Sequence, residues 1–360
     1  HELSYTRPVV YKRNDPVNGE TYKPFVITPP VYVSISGGVH IFANGEPKNI
    51  EVIVKSGKAD IKGKVRLQVP KSWNVSPGNA SYALSLKGDE TTIIFKVSPP
   101  TDASVGEISA TATIGDEVYY QSLVSIEYDH IRTQTLFPEA KAKVVKLNIR
   151  KEGEEIGYVM GAGDDMPNSL EQIGYKVTLL QDGDFQPEKL QGFDAIILGI
   201  RAYNTVDRLK YHQPKLIEYV KNGGTLIVQY NTNFRLVTEE IAPYELKISR
   251  DRVSVEEAEV RILKPDHVVM NKPNKITEAD FDEWVQERGL YFPNEWDEDN
   301  FVPILSSNDP GEEPKDGGLL VAKYGKGYYI YTGYSWFREL PAGVPGAYRI
   351  FTNMISIGND

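Results

Sequence analysis

The side chains whose types and spacing could do chemistry gather behind two apolar runs in residues 190–233, LQGFDAIILGIRAYNTVDRLKYHQPKLIEYVKNGGTLIVQYNTN. Arg201, Tyr203 and Asn204 follow the first run; Asn231, Asn233 and, just beyond, Arg235 follow the second. Guanidinium groups fork onto carboxylates or phosphates, and carboxamides and phenols hydrogen-bond to hydroxyls, so this set is suited to holding a polar ligand. His267, Trp336 and Arg338 complete the candidate cleft, in which Arg201 and Arg338 could clamp an oxyanion; a salt-bridged structural network is the alternative for the same arginines. No ready nucleophile accompanies them. The turn after the second run reads QYNTN, no G-x-S-x-G occurs, and YSWFRE, after the strand expected at 327–332, has no histidine.

Other catalytic chemistries find little support. Cysteine is absent, which removes thiol nucleophiles, thiolate metal sites and disulfides together. Histidines stand at 1, 40, 130, 212 and 267, with no pair at metal-ligand spacing, so neither a metal nor a cofactor is expected. Glu283 with Glu287, and Asp182 with Asp184, have spacings a glycosidase could use, but among 50 acidic residues such pairs arise by chance and support no catalytic assignment.

These residues need elements to position them. Apolar runs at 194–198 and 225–230, with an amphipathic helix expected at 209–221 ending on Gly223 and Gly224, make a right-handed βαβ unit. A ligand site in such a sheet lies beyond the carboxyl ends of the strands. Upstream, IGYVMGAGDDMPNSLEQIGYKVTLL reads as a strand at 156–160, a Gly-rich turn, a helix near 167–173 and a strand at 175–180. Gly161 and Gly163 invite a phosphate-loop reading, but Asp164 and Asp165 would repel a phosphate there and read better as helix caps, or as acceptors for sugar hydroxyls. Downstream come a strand at 253–263, a helix at 278–287 opened by Thr277 and Asp280, strands at 318–323 and 327–332, and a last helix at 346–356. Phe281, Trp284, Val285 and Arg288 share one face of the expected 278–287 helix and read as core. After it, Tyr291, Phe292 and Trp296 alternate with Asn294, Glu295 and Asp297, a mixture that suits carbohydrate or a packed surface loop.

The first third differs in kind. Residues 1–28 read as an extended lead-in. From 29 to 128, short alternating runs such as VYVSI, IEVIVK and TIIFKV are separated by Gly, Pro, Asn and Asp turns, the pattern of an antiparallel β-sandwich. Residues 129–155 are expected to link it to an α/β domain with a mostly parallel sheet at 156–360. The chain is therefore a multidomain β plus α/β protein.

Composition narrows the partners. The net charge of −10 over 360 residues is spread along the chain, which argues against nucleic acid and anionic membrane. No apolar run approaches the roughly 20 residues of a membrane span. The sequence opens HELSYTRPVV without Met and reads as a mature protein or, by preference, as an excised part of a larger one.

Two resemblances extend this reading. Residues 69–114 resemble the sandwich modules appended to bacterial glycan-active enzymes, through a Pro-x-x-Trp step, a Gly-Asp-Glu turn and a closing Pro-Pro; Trp73 would then stack on a sugar ring or plug the end of the sandwich. The second half resembles the flavodoxin-like, class I glutamine amidotransferase-like fold, with Tyr230 or Asn231 where that family carries its Cys and Trp336 or Phe337 where its His would stand. More specifically, YDHIRTQTLF, GYVMGAGDDMP, GIRAYN, NKPNKITEADFDEWVQERGLYF and LLVAKYGKGYYIYTGYSWFRELPAGVPGAYR resemble the carboxyl-terminal extension of large bacterial PIG-L/LmbE-type deacetylases. That resemblance implies a zinc-dependent N-acetyl-sugar deacetylase domain upstream in the same polypeptide, since its His-Pro-Asp-Asp type motif is absent from these residues. It implies a non-catalytic accessory role in glycan binding or positioning, in a periplasmic or secreted setting. A carboxylate-based glycan hydrolase in the α/β cleft and a structural or oligomerisation scaffold are the alternatives.

Overall fold

A computed structural model describes residues 4, 6, 9–17, 19–128 and 130–358. Residues 1–3, 5, 7, 8 and 18 of the expected lead-in, with His1 among them, lie outside the described residues. The protein is built mostly of β-sheets with some helices, and the chain divides into two compact units, His1–Lys146 and Leu147–Asp360.

In the first unit, β1 (Val10–Asp15) and β2 (Gly19–Pro24) form an antiparallel hairpin where an extended lead-in was expected. The strands that follow are β3 (Val31–Ile35), β4 (Val39–Phe42), β5 (Lys48–Ser56), β6 (Ile61–Gln68), β7 (Asn74–Ser76), β8 (Ala80–Leu84), β9 (Glu90–Ser98), β10 (Ser104–Ile114), β11 (Glu117–Tyr119), β12 (Val124–Ile126), β13 (Gln134–Leu136) and β14 (Lys141–Lys146). They pair as a four-stranded sheet β3-β5-β9-β7, a larger sheet β4-β14-β10-β6-β8 with β11 on β10, and a β12-β13 ribbon. Period-two alternation drives this: Ile50, Val52 and Val54 of β5 turn inward, as do Val65 and Leu67 of β6 and Ile108, Ala110 and Ala112 of β10, and together they fill one apolar core. Trp73 is buried in that core, edge-on to Phe42 at 4.9 Å, and its indole N–H donates to Ser104 Oγ at 3.3 Å, so its ring is not offered to a sugar.

The expected linker at 129–155 needs correction. Its residues 141–146 are β14, an inner strand lying between β4 and β10, with Ala142 and Val144 in the core. The single-residue alternation there is brief, and adjoining charged residues masked it.

In the second unit the elements are β15 (Glu155–Val159), α1 (Met166–Gln172), β16 (Lys176–Leu179), α2 (Pro187–Leu190), β17 (Ala195–Leu198), α3 (Ala202–Thr205), α4 (Leu209–Lys221), β18 (Thr225–Gln229), β19 (Leu246–Val253), β20 (Val260–Ile262), β21 (Gly289–Trp296), β22 (Phe301–Ser307), β23 (Lys315–Tyr324), β24 (Gly327–Thr332), α5 (Trp336–Glu339) and α6 (Pro345–Ser356). One mixed sheet of eight strands runs β16-β15-β17-β18-β24-β23-β22-β20, parallel from β16 to β24 and antiparallel beyond. Ile196, Leu198, Leu226 and Val228 are fully buried, which explains why the central strands read as unbroken apolar runs. β19 and β21 form a separate antiparallel ribbon.

Two expected elements differ. The strand expected at 253–263 is split into β19, which starts earlier, and the short β20. The helix expected at 278–287 is only a 3-10 turn at Glu278–Phe281. Its capping box forms, yet the backbone groups that would extend it are taken by side chains, two from nearby in the chain and one from α5. The Trp284 indole donates to Asp280 O at 3.1 Å, Arg288 Nη1 donates to Phe281 O at 2.7 Å, and Val285 N donates to Glu339 Oε2 at 2.9 Å. Glu283 and Gln286 then adopt left-handed backbone, with φ of 58° and 70°.

Candidate functional site

The carboxyl ends of β17, β18 and β24 are stitched together before any side chain is presented. Arg201, left-handed at φ 55°, donates its N–H to Tyr230 O at 2.8 Å, joining the loop after β17 to the end of β18. Asn231 Oδ1 accepts the Tyr203 N–H at 2.9 Å, and Asn231 Nδ2 donates to Gln229 O at 2.9 Å. The Tyr331 hydroxyl accepts the Asn231 N–H at 3.2 Å, bringing β24 into the same network. Asn204 closes the next loop: its Oδ1 accepts from Thr232 N at 2.9 Å and its Nδ2 donates to Phe234 O at 3.0 Å.

This stitching corrects several sequence expectations. Asn231 and Tyr203 are wholly buried, and Asn204 is spent on backbone, so the three frame the strand ends and do not line a cleft. Trp336 is also buried, its indole donating to Thr332 Oγ1 at 2.7 Å and its rings packed against Trp284 and Phe351. His267 caps the 3-10 turn at Val268–Met270, its Nδ1 accepting the Val269 N–H at 3.3 Å, and burial pushes its pKa down. The stretch after that turn is bound to α6 through Asn274 and Asn353, so His267 serves a different wall of the unit. Asn233 is exposed.

Arg201 and Arg338 do come together, around Tyr230. Burial pushes the Tyr230 hydroxyl above the usual phenol range, against the pull of both guanidinium charges. Arg338 Nε donates to Glu287 Oε1 at 2.7 Å, its Nη1 donates to Gln286 Oε1, and its guanidinium lies 4.9 Å from the Phe337 ring centre. Arg201 is half-buried, and its Nε–H is closed to solvent with no acceptor among the described residues.

Three aromatic rings surround this charge. Tyr291 lies parallel to Tyr230 with centroids 6.2 Å apart and planes 7° apart, and Phe337 is tilted at 5.4 Å on Tyr230. Tyr291 is itself left-handed, φ 53°, a conformation that costs a bulky residue about 1–2 kcal/mol and persists only where its surroundings enforce it. The enforcement comes from Phe292, whose ring fills a cradle between Gly289, Gly318 and Gly333. A Cβ on Gly333 would stand 2.4 Å from that ring, and one on Gly289 also 2.4 Å. With the chain this close, Leu290 N donates to Gly333 O at 2.8 Å, which sets Tyr291 beside Tyr230.

Beyond Tyr291 opens a cavity of about 430 Å³, lined by Phe234, Arg250, Arg252, Leu290 and Tyr291. Ile248 and Val253 are both buried although they stand five positions apart, an odd step that a regular strand would send to opposite faces, and β19 carries register shifts between them. Ser249 occupies the irregularity, donating to Phe292 O at 2.7 Å and accepting from Asp251 N at 2.8 Å, while Arg250 and Arg252 project outward. The sequence expectation did not include Phe337, Phe234, Arg250 or Arg252 among ligand-binding residues. The Arg-x-Arg spacing at 250–252, which puts two side chains on one strand face, was the available signal.

The Gly-rich turn after β15 is closed to phosphate by its own carboxylate. Asp164 Oδ1 accepts the Met166 N–H at 3.2 Å and the Tyr158 hydroxyl at 2.7 Å, and Oδ2 accepts the Ile200 N–H at 3.3 Å. Those are the donors a phosphate would need. Burial raises the Asp164 pKa despite these bonds.

No protein-family model and no curated protein matches this sequence. Among solved structures, a Salmonella alpha-2-macroglobulin mutant is similar at 14% identity and a TM-score of 0.23 over 36% of this chain and 8% of that one. A family 123 glycoside hydrolase from Clostridium perfringens is similar at 10% identity and a TM-score of 0.22, over 56% of this chain and 38% of that one. WR4, a C. elegans MSP family member, is similar at 11% identity and a TM-score of 0.19 over 32% of this chain and 96% of that one. The chain thus spans well under half the length of the macroglobulin and the hydrolase.

Proposed function

We propose that this chain is a non-catalytic accessory region that holds a glycan for an N-acetyl-sugar deacetylase domain of the same polypeptide, in a periplasmic or secreted setting. On this reading the first unit is an antiparallel β-sandwich of the kind attached to glycan-active enzymes. The second is a glutamine amidotransferase-like α/β domain in which Tyr230 or Asn231 stands at the position of the nucleophile. The observation that carries the reading is the group of Tyr230, Tyr291 and Phe337 beyond the parallel strand ends, flanked by Arg201 and Arg338. A pyranose presents an apolar face to a ring and hydroxyls to donors around it, and this group supplies both. Half-buried Tyr291 provides the accessible face, since Tyr230 retains only 8% of its surface.

Among the described residues no helix is long and apolar enough to cross a membrane. The deacetylase partner rests on the sequence resemblance alone; glycan binding rests on the aromatic group as well. A glycan array followed by calorimetric titration tests the binding reading, with hydrolysis of an aryl-glycoside panel run in parallel. Binding without turnover supports it. Turnover abolished by a single Asp or Glu substitution would replace it with a carboxylate hydrolase, and a stable dimer that ignores every sugar would replace it with a scaffold.

A further inference from the structure

We infer that the ligand of this site is an acidic glycan, with a sugar oxyanion seated between Arg250 and Arg252 while its ring lies against Tyr291. The inference rests on the glycan-binding reading and specifies the ligand's charge. The whole chain carries −10, yet the cavity is lined by two cations, Arg250 and Arg252 on β19, with Arg201 near Tyr230, against which Tyr291 stacks. None of these three has a carboxylate partner among the described residues. The same ribbon does neutralise its other cation, Lys247, through Glu295 at 2.7 Å, so the lack of a partner is particular to the cavity.

Geometry supports the same ligand. The cavity volume of about 430 Å³ falls within the roughly 300–1,000 Å³ of small-ligand sites. Its wall combines two guanidinium groups with Phe234, 47% exposed, and Tyr291, which also belongs to the strand-end aromatic group and so joins cavity and group into one surface. Arg201 and Tyr291 are two of the six non-glycine residues with left-handed backbone in the described chain, at φ 55° and 53°. Such conformations concentrate at ligand sites. Guanidinium forks match carboxylate, sulfate and phosphate oxygens alike, so the shared chemistry is a sugar-borne oxyanion.

The test is calorimetric titration of the whole chain with trigalacturonate, a sulfated heparin disaccharide, glucose 6-phosphate, neutral chitotriose and inorganic sulfate. The expected result is binding of at least one acidic sugar, weakened about tenfold or more by Arg250→Ala with Arg252→Ala and by raising salt from low to high ionic strength. Which acidic sugar binds tightest identifies the oxyanion. Both arginines are exposed on an edge ribbon, so circular dichroism of the double variant should match wild type. Chitotriose binding as tight as any acidic sugar and indifferent to the double substitution would overturn this inference and leave the glycan-binding reading standing. Sulfate binding as tight as the sulfated sugar would overturn it by showing that the ring contributes nothing. Failure of every sugar to bind would overturn both.

Discussion

Glu339 on α5 has no exposed surface; its Oε2 accepts the Val285 N–H and its Oε1 has no partner among the described residues. Burial raises its pKa to about 8, reinforced by the Glu256 and Glu287 charges and opposed by that hydrogen bond and by Arg288. The folded chain therefore keeps a proton that the unfolded chain sheds above pH of about 4.3. This contribution to stability is fully present below that value and is lost as pH rises through about 8. Glu339→Gln keeps the acceptor and cannot ionise. Urea denaturation should show the variant gaining on wild type from pH 5 to pH 9 by up to about 4 kcal/mol, and a difference that stays flat would mean the carboxyl is already charged in the fold. Asn353 on α6 is the neutral counterpart. Its Nδ2 donates to Val269 O and Asn274 O at 2.7 Å each, and its Oδ1 accepts from Asn274 N and Nδ2 at 3.0 Å each. Asn353→Ala strands Val269 O, Asn274 O and Asn274 N, while Asn274 Nδ2 keeps its bond to Arg150 O, and should cost about 3–5 kcal/mol in the same assay, far above an exposed Asn such as Asn233.

At the scale of elements, the ribbon of β19 and β21 is what brings Tyr291 to the strand ends, and the glycine cradle around Phe292 is what locks the ribbon. Gly333→Ala puts a methyl 2.4 Å from the Phe292 ring and 2.9 Å from Leu290 O. It should destabilise by about 1–3 kcal/mol and weaken sugar binding more than its distance from the cavity suggests, because Tyr291 loses its support. Gly45→Ala, where a Cβ meets nothing within 4 Å, is the matched control and should leave thermal midpoint and binding unchanged. The same contrast separates what sequence could reveal from what it could not. β17, α4 and β18 were legible because their patterns are long and their partners lie nearby in the chain. The cradle was not, since Gly289, Gly318 and Gly333 meet only after β21 crosses β23. The 278–287 segment misled for a related reason: its helical period is real, but Glu339 and the side chains of Trp284 and Arg288 compete for its backbone. Of the expected cleft, Arg201 and Arg338 meet at Tyr230, whereas Tyr203, Asn231 and Trp336 are polar or aromatic residues serving burial, which composition cannot distinguish from ligand contact.

For the whole molecule the consequential boundary is the one between Lys146 and Leu147. A division drawn at residue 128, where the alternating pattern fades, would leave the first unit without β14. That strand pairs with β10 over Ser104–Ser109 on one side and, in parallel, with β4 over Val39–Phe42 on the other. Without it β4 loses its strand partner in the sheet, two rows of backbone groups are exposed, and Ala142, Val144 and their neighbours leave the core. Residues 1–146 expressed alone should therefore give a dispersed amide spectrum and a cooperative melt, while residues 1–128 should be collapsed or aggregated. The second unit has its own core, from Val159 and Leu198 through Leu226 to Tyr331, so residues 147–360 should also melt cooperatively and keep the sugar affinity of the full chain. Equal folding of the 1–128 and 1–146 fragments would show that β14 only decorates the sheet, and loss of binding by 147–360 would show that the site needs more than the second unit's residues.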